Sequence, residues 1–169
     1  MAIEAALAPD GVAVERMDFP YRRAGRPAPD RLPVLVEAIR EGAAKLAERS
    51  GLDPGRLWLG GRSMGGRVCA VAVAEGLPAA GLVLISYPLH PPGRPERRRD
   101  EHFAALAVPC LFVSGTSDAF AAPAELEGAT AAIAGPVTHR WLERGDHGLR
   151  GRDGPVAAAV REWLIARLA

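Results

Sequence analysis

The chain holds two cysteines, Cys69 and Cys110, in 169 residues. Two thiols cannot make a disulfide framework, so a packed core must hold the fold. Each lies in an apolar segment, where a buried, reduced thiol is expected. Aromatic residues are scarce at 5 %, against 49 % apolar residues overall, many of them alanine. Such a core must rest on small side chains and close helix packing. No apolar run approaches the roughly 18 residues that would mark a membrane-spanning helix. The N-terminus also lacks the basic and apolar regions of a secretory signal, and a cytoplasmic location is expected. Charge of one sign is missing too. With 21 basic and 20 acidic residues the net charge is +1, so neither nucleic acid nor a membrane surface is an expected partner. The one basic cluster, Arg94 to Arg99, is interrupted by Pro95 and Glu96 and followed by Asp100 and Glu101; it reads as a solvated loop. No cofactor and no metal is expected.

What is present is an alternation of strands and helices that fits one domain over residues 1–169. Met1 to Ala8 reads as a short helix and Val12 to Met17 as a strand. Asp30 to Ser50 is a helix with apolar residues at helical spacing, Asp30 as its N-cap and Gly51 past its end. Leu57 to Gly60 is a strand and Met64 to Glu75 a helix. Gly81 to Ser86 is a continuous apolar strand of the kind covered on both faces. A loop rich in Pro, His and Arg leads to a short helix ending at Leu106. Then come a strand at Leu111 to Ser114, a helix at Pro123 to Ala134, a strand at Val137 to Leu142 and a helix at Gly154 to Leu168. The fold class is therefore α/β, a mostly parallel sheet with helices on both faces.

Between the strand at Leu57 and the following helix stands Gly61-Arg62-Ser63-Met64-Gly65. This pattern at a strand-to-helix turn is that of a nucleophile elbow. The turn is strained, and glycines two residues either side of Ser63 relieve backbone collisions there. Ser63 is the candidate nucleophile, and the Met64 N–H, at the helix N-terminus, is a candidate oxyanion donor. Five residues are a weak signal alone. An anion-binding glycine loop with Arg62 and Arg67 as counter-charges is the rival, although it closes in Gly-Gly-Arg, not Gly-Lys-Ser/Thr. Context decides between them. In parallel sheets reactive groups gather at the carboxyl ends of the strands. Asp118 follows the strand at Leu111 to Ser114, and His147 follows the strand at Val137 to Leu142. The chain order Ser63, Asp118, His147 is that of an α/β-hydrolase triad. Asp146 adjoins His147 too closely to fold back onto its ring. His90, His102 and His139 are weaker bases by position.

The segments Asp18-Phe19-Pro20-Tyr21, Gly60 to Arg67, Ser86 to Gly93 and Gly145-Asp146-His147-Gly148 resemble the KANL/Tex-type α/β-hydrolases. These are a small-domain branch near the dienelactone-hydrolase-like proteins. The resemblance implies an α/β-hydrolase fold with catalytic Ser63, Asp118 and His147, and it sets Tyr87 to Gly93, with Tyr87 and His90 as pocket candidates, beside the pocket; Arg62, next to Ser63, is a further pocket candidate. Members of that family open with an apolar strand ending in a His-Gly-Ala-Gly-like loop, which supplies a second oxyanion amide. The present chain starts after that point, so an N-terminally truncated sheet is expected, with a gap between Val12 to Met17 and Leu57 to Gly60. The expected activity is hydrolysis of an ester, thioester or related small-molecule acyl substrate. The alternative is a non-catalytic interaction or scaffold protein on the same fold.

Overall fold

The computed structural model describes residues 2–168. Four strands form the sheet: β1 (Trp58–Arg62), β2 (Gly81–Ile85), β3 (Cys110–Gly115) and β4 (Val137–Leu142). All pairings are parallel and the spatial order is that of the chain, β1-β2-β3-β4. The two central strands show why their sequences carry no polar alternation. Leu82, Leu84, Cys110 and Phe112 enter one core, while Ile85, Leu111 and Val113 enter a second core on the opposite face. A strand clad on both sides must be apolar at every position. Full burial of each such leucine or phenylalanine is worth about 1.5–3 kcal/mol relative to exposure.

The first core lies under α3 (Leu32–Ser50), α4 (Met64–Ala74) and α5 (Pro123–Thr130). The second lies under α1 (Ala2–Leu7) and α6 (Asp153–Leu168). The strands advance in one direction through right-handed crossovers, which puts α4 and α5 on a common face. The last helix then covers the other. The α/β class with helices on both faces is therefore the observed architecture. A single-turn helix, α2 (Pro20–Arg23), packs Tyr21 into the first core.

Several local expectations need correction. Val12 to Met17 forms no strand. Val12 and Val14 pack against the second core, the Glu15 carboxylate meets the Arg49 guanidinium, and the Met17 sulfur lies against Gly42 in α3. The segment passes from one face of the sheet to the other, and no ladder partner holds it. Only Val12 and Val14 are half-buried on the way, and residues 15–17 are exposed. Consequently β1 is an edge strand, and no described backbone pairs with its outer side. The α3 N-cap position is Arg31, with Pro33 in the first turn; Asp30 is instead ion-paired to Arg26 at 2.7 Å. Gly51 ends α3 in the left-handed region at φ 68°. The short helix before Leu106 is only a 3-10 turn at Phe103–Ala105, and α5 stops at Thr130.

Two half-buried histidines stand in the apolar interior. The His139 ring stacks between Phe112 and Trp141, and its Nε2 is 3.0 Å from the Thr130 hydroxyl. His102 meets the Tyr87 hydroxyl at 3.2 Å. Burial lowers the pKa of both below the ordinary 6.5; Arg67 pushes His102 down further, while Glu127 opposes the shift at His139. Because the folded pKa is depressed, the unfolded chain binds more protons as pH falls below about 6.5. Stability is thus expected to drop on acidification from pH 7.5 to 5.5. Urea unfolding at the two pH values checks this, and a His102→Gln/His139→Asn protein should show a smaller drop.

Candidate active site

The turn after β1 is built by close backbone approach. Ser63 sits at φ 51°, ψ −121°, a conformation that side chains rarely adopt. A Cβ on Gly61 would lie 2.6 Å from the Gly65 carbonyl carbon, and one on Gly66 would lie 2.6 Å from the Gly61 oxygen. Both glycines are therefore required by contact. Gly65 is not: a Cβ there would meet nothing within 4 Å. Relief of collision at Gly65 was expected and is absent, since the C-terminal side of the turn is crowded at Gly66 instead. Behind the turn, the Ser63 N–H donates to the Ile85 carbonyl at 2.8 Å, and the Ser63 carbonyl accepts from Arg67 N–H at 3.1 Å. These bonds tie the strained residue to β2 below and α4 ahead.

Asp118 and His147 arrive from the ends of β3 and β4. Their loops touch at Gly115, where a Cβ would lie 2.0 Å from the Gly145 oxygen. The Ser117 N–H also donates to that oxygen at 2.9 Å, and the Thr116 hydroxyl accepts from Arg144 N–H at 2.8 Å. The joined loops bring the three side chains together. His147 Nε2 lies 2.7 Å from Ser63 Oγ, and Nδ1 lies 2.9 and 3.0 Å from the two Asp118 oxygens. A carboxylate only accepts, so Nδ1 carries the proton and Nε2 presents its lone pair to the serine hydroxyl. The Asp118 side chain is fully buried while that of His147 is 23 % exposed. Asp118 also accepts from Phe120 N–H at 2.8 Å, which fixes the carboxylate plane. Asp146 turns away and accepts from Leu149 N–H at 2.9 Å.

The other residues singled out from sequence lie as follows. Met64 opens α4, and its N–H has no backbone acceptor among the described residues. Arg62 is exposed at the end of β1. Tyr87 and His90 do not face an open pocket. Tyr87 is fully buried and its hydroxyl donates to the Arg99 carbonyl at 2.7 Å. His90 is buried too, with Nδ1–H donating to the Pro91 carbonyl at 2.9 Å and Nε2 3.3 Å from the Glu125 carboxylate. Both anchor the loop after β2 from within. Sequence reasoning missed Phe120, whose ring stacks on His147 at 3.9 Å between centroids. Only its place two residues after Asp118 could have signalled it. It also missed Ser86, a second non-glycine at positive φ (49°), whose hydroxyl is buried without a partner at the end of β2.

With this geometry in view, comparison with known proteins defines the class. A model of the alpha/beta hydrolase domain matches residues 1–159, and the chain belongs to that family. Its fold is the α/β-hydrolase fold. Among solved structures, it is similar to a protein of unknown function from Agrobacterium tumefaciens, with a TM-score of 0.81 and 16 % identity over 99 % of this chain and 75 % of that one. The esterase domain of a Rhodothermus marinus protein gives 0.71 and 20 % over 99 % and 79 %. An alpha-beta serine hydrolase homologue from Coxiella burnetii gives 0.62 and 22 % over 85 % of this chain. The present chain spans 63 % of the Coxiella chain. At these identities the likeness carries the fold. Among the described residues, no helix is long and apolar enough to cross a membrane.

Proposed function

We propose that the chain is a serine hydrolase of esters, thioesters or related acyl compounds, of the KANL/Tex-type branch of its family. Ser63 Oγ attacks the acyl carbonyl as His147 Nε2 takes its proton. Asp118 holds the imidazole in the required tautomer and stabilises its charged form. The Met64 N–H meets the developing oxyanion. Collapse of the tetrahedral intermediate expels the leaving group, which receives the proton from His147. Water, activated by the same imidazole, then frees the acyl group and restores Ser63. The observation that carries this reading is the unbroken chain of contacts at 2.7 and 2.9 Å from serine through imidazole to buried carboxylate. A serine held at φ 51° adds support, since such strain persists only where the surroundings enforce it. The structural relatives add a weaker, associational argument. They include an esterase domain and Est1E from Butyrivibrio proteoclasticus, which has also been seen with ferulic acid bound. The test is reaction with a fluorophosphonate probe followed by peptide mapping. Labelling at Ser63, blocked by His147→Ala, is expected. A folded protein that hydrolyses p-nitrophenyl esters yet takes no label at Ser63 contradicts the assignment, and one that does neither favours a scaffold role.

A further inference from the structure

Arg67 is a cation without a counter-ion in a crowded place. It sits one turn into α4, roughly 6 Å along the axis from Ser63 by helix geometry. Its guanidinium makes no hydrogen bond or ion pair among the described residues, and its Nε is buried with no acceptor. The Arg67 side chain forms one wall of a cavity of about 310 Å³. Across it stands the loop after β2, with Arg97, Arg98 and Arg99 and with Glu96 and Glu101. Arg98 is already bound to Asp100. Neither glutamate makes an ion pair with an arginine among the described residues. Three guanidiniums therefore face two carboxylates with no partner of their own, and one positive charge is left over. The like charges act on each other: Arg67 and Arg97 lower the pKa of the half-buried Arg99, after burial itself. The arginine run 94–99, expected to be a merely solvated loop, thus puts one of its members against the first turn of the nucleophile's helix. The Tyr87 hydroxyl pins Arg99 there through the backbone.

A guanidinium with no partner among the described residues, lining a cavity with surplus positive charge, marks a place for an anionic ligand. We propose that the Arg67/Arg99 cavity is a substrate subsite for a single anionic oxygen group, a carboxylate or a singly charged phosphate. On this view the acyl substrate carries that group at the end away from the scissile bond. The subsite deepens the hydrolase reading and rests on it for the identity of the ligand. The terminal nitrogens of Arg67 and the Arg99 guanidinium would donate to the anion's oxygens, and holding this remote group orients the carbonyl at Ser63 Oγ.

The experiment compares p-nitrophenyl hemisuccinate with p-nitrophenyl butyrate, one bearing a terminal carboxylate and one neutral. The wild-type ratio of kcat/KM values is expected to favour the hemisuccinate. Arg67→Met and Arg99→Gln should each cut that ratio about tenfold, the range of a charge-assisted hydrogen bond. Arg94→Met changes the net charge equally but should leave the ratio alone. A general structural effect would scale both esters together, so an unchanged ratio in both cavity variants overturns the proposal. Inorganic phosphate that competes with the hemisuccinate but not with the butyrate identifies phosphate as the better occupant. If neither ester is turned over, the hydrolase reading fails separately. Calorimetric titration of the Ser63→Ala protein with monomethyl succinate then decides the subsite: weakening of about tenfold or more with Arg67→Met upholds it, and equal affinity or no binding overturns it.

Discussion

Alanine at Ser63 or at His147 is expected to lower kcat for a p-nitrophenyl ester by about 10⁴-fold or more. The magnitude follows from how the three groups depend on one another. Without the imidazole, Ser63 keeps its proton and is a poor nucleophile; without the serine, His147 has nothing to activate. The double variant should therefore be little worse than either single one, because members of such a unit are strongly non-additive. Asp118→Asn tests the tautomer argument separately. An amide beside Nδ1 can donate where the carboxylate could only accept, which lets the imidazole turn its lone pair away from Ser63. A loss of similar size, with little change in melting temperature, is expected. If Ser63→Ala retains wild-type turnover in a purified, folded sample, the triad mechanism is wrong.

The second large effect concerns glycine at the turn, where two neighbouring positions of the same pattern should behave oppositely. Gly61→Ala forces a methyl to 2.6–2.7 Å from the backbone of Gly65 and Gly66. Backbone there cannot yield without moving Ser63. A loss of about 2–4 kcal/mol is expected from overpacking of this kind. For a chain of this length that corresponds to a fall of roughly 5–15 °C in melting temperature. Gly65→Ala meets nothing within 4 Å, and a helical position gains up to about 1 kcal/mol from replacing glycine. Its melting temperature should match or exceed that of the wild type. Thermal melts of the two variants side by side give the answer. Equal melting of Gly61→Ala and the wild type would show that the turn is looser than described.

Much of this arrangement was legible in the sequence because it rests on local rules. A continuous apolar run such as Gly81 to Ser86 has few fates other than a doubly covered strand. Residues just past such runs fall at one edge of a parallel sheet, and so Asp118 and His147 could be paired with Ser63 before any distance was known. What escaped depends on partners distant in the chain. Val12 to Met17 reads as a strand, yet only Val12 and Val14 of it are half-buried; a ladder needs a neighbour, and none of the described residues supplies one. Gly65 matches the pattern of the turn, although the crowding falls at Gly66, one residue on. Tyr87 and His90, set beside the pocket by the resemblance, are buried instead, because the loop after β2 folds back over its own apolar residues. The meeting of Arg67 with Arg99 joins residues 32 apart by number through a loop without regular structure, and no periodicity reports it.

The position of β1 at the edge of the sheet has a consequence for how the strand before Ser63 exchanges its amide protons with solvent. Since Ser63 N–H points to β2, alternation turns the N–H groups of Leu59 and Gly61 the same way and those of Trp58, Gly60 and Arg62 outward. Deuterium should thus enter this strand in a two-residue beat, fast at the even positions and slow at the odd ones. The inner strands β2 and β3, paired on both sides, should show no such beat. A segment that docked along the outer edge would slow the even positions alone, and so reveal itself without any change at Ser63, Asp118 or His147.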